Sequence, residues 1–74
     1  MTTRDLQDQL RDLLDDVLRG RDDADDPAND LADHVEGLRR IATYEEVGMM
    51  TTDPGLVITT DDGQEFQVTI VQSR

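Results

Sequence analysis

The stretch PANDLADHVEGLRRIAT, residues 27–43, decides how this chain folds. Its apolar residues, Leu31, Val35, Leu38 and then Ile41 or Ala42, recur at spacings of three and four, the period of one face of an α-helix. Asp26 stands where a cap is needed. Pro27 fits the first helical position, because the amide donor that proline lacks has no intrahelical partner there. A helix over about residues 27–41 is the expectation. Gly37 inside it costs about 1 kcal/mol relative to alanine, which points to a close backbone approach at that position.

Upstream, Leu6, Leu10, Leu13 and Val17 follow the same spacing, with Leu14 and Leu18 broadening the stripe and Asp8, Asp12, Asp15 and Asp16 filling the remaining positions. This predicts an amphipathic helix over about residues 4–19. Thr3 or Thr2 caps it, Asp5 meets the positive end of its dipole, and Arg19 followed by Gly20 supplies a cation and a left-handed stop at the other end. Only residues 21–25 separate the two helices, so they are expected to fold back as an antiparallel hairpin.

Downstream, Thr43-Tyr44-Glu45-Glu46 fits a capping box and Gly48 fits a stop, giving a short helix over about residues 44–47. Asp53-Pro54-Gly55 reads as a type II turn. The β-branched runs LVITT and QEFQVTIVQ surround DDG and predict strands over about residues 56–60 and 64–71. A left-handed bulge at Gly63 sets Ile58 opposite Phe66 and Leu56 opposite Val68, which gathers the apolar side chains on one face. The expected fold is α+β: a two-helix antiparallel hairpin, a short helical turn and a C-terminal two-stranded antiparallel β-hairpin, in one small domain spanning residues 1–74.

Eighteen acidic residues face seven arginines in 74 positions, a net charge of -11. Such a surface repels nucleic acid and anionic membranes and favours a basic partner. Fourteen of the acids are Asp and lysine is absent, a bias shared by salt-accumulating halophiles and by arginine-favouring GC-rich bacterial or phage genomes. No apolar run is long enough to span a bilayer, and Met1 to Gly20 lacks the pattern of a signal peptide, so a soluble cytoplasmic protein is expected. With no cysteine, neither disulfides nor thiolate metal sites can form.

The acidic run of Asp22, Asp23, Asp25, Asp26 and Asp30 fails as a calcium loop. Starting at Asp23, Pro27 falls at the fifth position, Ala28 at the sixth and His34 at the twelfth, none of which supplies what that loop requires. His34 is the single histidine, so a histidine-based zinc site or a Ser/His/Asp relay lacks members. Asp30, Asp33 and Glu36 read as a solvated helix face, and Arg39 and Arg40 as complements to a helix C-terminus. The five glycines are isolated, which leaves no phosphate loop. A helix-turn-helix reading would present Glu45 and Glu46 to phosphates, which electrostatics forbids. No catalytic residue, cofactor or metal ligand is therefore assigned.

What remains is surface. A two-stranded hairpin has two open edges, and the cheapest way to protect them is a second copy of the chain. The sequence is read as a non-enzymatic protein–protein interaction module, homodimeric and able to bind another, basic protein. The expected interface comprises Tyr44, Met49 and Met50 at the junction between helices and hairpin, and Val57, Thr59, Thr69 and Val71 on the polar hairpin face. The rival reading is an acidic nucleic-acid mimic, an anti-restriction or anti-CRISPR inhibitor of phage type directed at a DNA-binding protein.

Overall fold

The computed structural model describes residues 1–74. Its elements run α1 (Thr3–Gly20), a 3-10 helix (Pro27–Val35), β1 (Leu38–Thr43), β2 (Gly55–Thr60) and β3 (Glu65–Thr69). The strands form one antiparallel sheet in the order β1-β2-β3. No helix is long and apolar enough to cross a membrane.

α1 follows its sequence pattern except at its end, where Gly20 is the last helical residue, without a positive φ, and Arg21 takes the C-cap position. The Thr2 side chain accepts from the Asp5 amide at 3.1 Å while the Asp5 carboxylate accepts from the Thr2 amide at 3.0 Å, a reciprocal cap. Its stripe of Leu10, Leu14, Val17 and Leu18 packs on Val35, Ile41 and Leu56, with Leu38 and Ile58 at the margin. Arg21 donates from its guanidinium to the Leu38 carbonyl at one end of the helix, and Gln7 accepts from the Gly55 amide near the other. α1 therefore runs antiparallel to β1.

The second helix of the expected hairpin does not exist. Residues 27–35 form the 3-10 helix, capped by Asp26 with Pro27 inside its start as the sequence indicates, but the chain then leaves helical geometry. Gly37 adopts φ +82°, a left-handed conformation that turns the chain out of the helix, with open space where a Cβ would stand. Leu38 to Thr43 become β1 and pair with β2. The three-residue interval from Leu38 to Ile41 imitates a helix because the ladder carries a β-bulge between Leu38 and Arg40. The extra residue returns both apolar side chains to the same face of the sheet.

The two-stranded hairpin is corrected accordingly to a three-stranded sheet, with β1 on the far side of β2. Its β2–β3 register does follow the bulged turn: Ile58 opposes Phe66, Leu56 opposes Val68, and Gly63 sits at φ +87°. The short helix expected at about 44–47 is a hydrogen-bonded turn. Its capping box is intact, Glu46 N–H donating to Thr43 Oγ1 and Thr43 N–H to Glu46 Oε1, but only Val47 N–H to Thr43 O is an α-helical bond before Gly48 N–H to Glu45 O and Met49 N–H to Tyr44 O close the turn. Gly55 begins β2 rather than occupying a left-handed turn position. A Cβ there would strike the Tyr44 ring and the Val68 carbonyl, so glycine is needed for close approach.

Candidate interaction surface

Strand alternation fixes the two faces of the sheet. Ile41, Thr43, Leu56 and Ile58 point toward α1, and their cross-strand neighbours on β3, Phe66 and Val68, must share that face. Ala42, Val57, Gln67 and the row Tyr44, Gly55, Thr69 lie on the other.

α1 covers only part of the inner face, packing on β1 and the near side of β2. Every residue of β3 is exposed. Phe66 is 54% exposed and Val68 43%, although both stand on the apolar side of the sheet. Along the helix flank that overlooks them, Leu13 is 57% exposed and Leu6 37%. A groove thus runs between the flank of α1 and the inner face of β3. Near the N-terminus of α1 lies an open cavity of about 240 Å³, lined by Leu6, Ile70 and Val71 together with Met1 and Arg74. Contiguous apolar exposure of this kind on a small chain is characteristic of association surfaces.

Helical spacing places Gln9 and Asp16 next to Leu6 and Leu13 on the solvent side, with Asp5 and Asp12 one step further round. All four are exposed. Asp12 pairs with Arg11 at 3.0 Å, whereas Asp16 has no ion-pair partner. On the opposite flank Arg11 also reaches Glu46 at 3.0 Å. Burial alone would raise the Glu46 pKa, but the Thr43 amide and the Arg11 guanidinium outweigh it and hold the carboxyl below its ordinary value. Hydrogen bonds from the Thr2 backbone and hydroxyl likewise hold Asp5 low.

The two edges of the sheet differ. β1 carries a bulge and two exposed arginines, Arg39 and Arg40, which are devices that discourage strand addition. β3 has no bulge, no proline and one charge, Glu65. Thr60 N–H donates to Gln64 O, and Ile70 N–H to Pro54 O, both at 2.9 Å. Because bonded pairs alternate along an antiparallel ladder, the backbone groups of Phe66 and Val68 face β2, and those of Glu65, Gln67 and Thr69 face outward.

The residues singled out from the sequence are dispersed by this arrangement. Tyr44 and Val57 are buried, the Tyr44 hydroxyl lying 2.7 Å from Thr69 Oγ1. Thr59 and Thr69 lie on the outer face with Val57. Met49 follows the 44–48 turn and Met50 is fully exposed, and neither lines the cavity. Val71 alone of the expected residues lines the cavity. Leu6, Leu13, Phe66, Val68 and Ile70 were absent from the expected interface because each fits a core pattern. The available signal was the width of the helix stripe, six large apolar residues, more than a two-stranded sheet can cover. No three acidic or histidine side chains converge as a metal-ligand set. Comparison with protein-family models, curated proteins and solved structures finds no significant match.

Proposed function

We propose that the protein is a non-catalytic protein–protein interaction module that joins a second copy of itself through β3. The observation that carries this reading is the pairing of an undefended edge with an uncovered apolar face on the same strand. An antiparallel β3–β3 contact with its two-fold axis at Gln67 places Glu65 opposite Thr69 of the second copy, so no carboxylate meets another across the ladder. It also sets Phe66 beside Val68 of the second copy on the inner face. A six-stranded sheet results, with β1, the defended edge, at both ends.

The open shape of the single cavity and the absence of a nucleophile–base pair within it support a binding role over a catalytic one. The nucleic-acid mimic is weaker, because a mimic needs free carboxylates in a row on one face. Here Asp12, Asp15, Glu45 and Glu46 are tied to arginines of the same chain.

Light scattering tests the proposal. The chain should weigh twice 8.3 kDa at micromolar concentration, and Gln67→Pro, which removes one outward amide donor without touching the β2–β3 bonds, should return it to monomer. A monomeric wild type at all accessible concentrations would overturn it.

A further inference from the structure

Resting on the β3-paired dimer, we infer that the face between the two α1 helices is a trough that takes one basic amphipathic helix from a partner protein. The geometry supplies the width. Each α1 lies mainly over β1 and reaches the near side of β2, so between four and five strand spacings of about 4.8 Å separate the two helices across the two-fold, roughly 20–24 Å. Helices pack at about 8–10 Å, so the gap is close to twice the packing distance and accommodates a single helix touching both walls. An extended strand would leave it half empty.

The chemistry of the trough selects the occupant. Its floor is Phe66 and Val68 from each copy, and its walls are Leu6 and Leu13, all partly exposed in the protomer. Above those walls stand Asp16, with no ion-pair partner, and beyond it Asp5 and Asp12. Arg74 is the basic side chain lining the cavity near the N-terminus of α1. An apolar floor between two acidic rims, each carrying the unpaired carboxylate of Asp16, is complementary to a helix with a leucine-type stripe on one face and arginine or lysine on its flanks. An acidic or uncharged amphipathic helix would fill the floor but leave the rims unsatisfied, and a chain of net charge -11 repels the acidic one at distance.

The experiment is calorimetric titration of the whole protein with three peptides of the 18-residue length of α1. The first carries leucine at helical spacing with lysine elsewhere, the second has the same composition with the stripe scrambled, and the third replaces lysine by glutamate. The expected result is one striped basic peptide bound per two chains, with the scrambled and acidic peptides at least about tenfold weaker, a difference of about 1.4 kcal/mol. Leu13→Glu should lose the striped peptide by a similar factor even though it makes the protein more negative. Attraction between charges alone would strengthen with that substitution and would accept the scrambled peptide equally, and either outcome overturns the inference. Light scattering on the same samples separates the two proposals: a dimer that ignores the striped peptide sinks the trough and leaves the dimer standing, whereas a monomer removes both.

Discussion

Ile58 and Phe66 stand directly opposite each other on one face of the sheet, yet Ile58 is half-buried against the core beneath α1 while Phe66 is more than half exposed. The same face is thus core at β2 and surface at β3. One 18-residue helix cannot cover three strands, and no second helix lies beside it over the strand that remains.

The link between helix and sheet rests on Gln7, 1% exposed, whose Oε1 accepts the Gly55 amide at 3.0 Å. Gln7→Leu keeps comparable volume but strands that buried donor. Urea denaturation should show a loss of about 1–3 kcal/mol, the cost of an unsatisfied buried amide. A neutral substitution would mean that water reaches Gly55.

Gly55→Ala should destabilise by about 1–3 kcal/mol through overpacking against the Tyr44 ring and the Val68 carbonyl. Tyr44→Phe, which loses only the hydroxyl contact with Thr69, should cost about 1 kcal/mol. The order of the two variants in chemical denaturation distinguishes the steric role of the ring from its polar one.

The helical spacing of Leu31, Val35, Leu38 and Ile41 concealed β1, while α1, its Thr2 cap and the β2–β3 register were legible. The reason is physical. Periodicity reports which residues share a face, and a strand with a bulge reproduces the helical interval of three. The local signal against a helix was Gly37, whose left-handed φ ends one element and starts the next. The groove was hidden for a related reason, since a pattern shows that Phe66 faces the core side but not whether anything lies above it.

Deleting Arg39 tests that account of β1. Without Arg39 the ladder becomes regular, and Leu38, now two positions from Ile41, stays opposite Thr60 on the core face with its burial kept. Stability in urea should therefore stay within about 0.5 kcal/mol of the wild type, and a loss of about 2 kcal/mol, the burial of Leu38, would contradict the bulge as the source of the three-residue interval.

Glu46 gives the pH dependence its sign. Its pKa lies below the ordinary 4.5 in the folded chain, so the unfolded chain binds the proton first. The resulting stabilisation is present above pH 4.5 and is lost as the pH falls through the folded value. Glu46→Gln should therefore melt below the wild type at neutral pH, and the gap should close on acidification. A gap that widens in acid would contradict the Thr43 and Arg11 contacts as its cause.

Amide hydrogen exchange along β3, resolved by residue in NMR, reads the β3–β3 pairing itself. Pairing of two copies predicts that the outward amides of Gln67 and Thr69 become protected as concentration rises, alongside the amides of Phe66 and Val68 that β2 already protects. Outward amides that exchange freely at every concentration, beside protected Phe66 and Val68, would show that β3 remains an open edge and would contradict the β3-paired dimer.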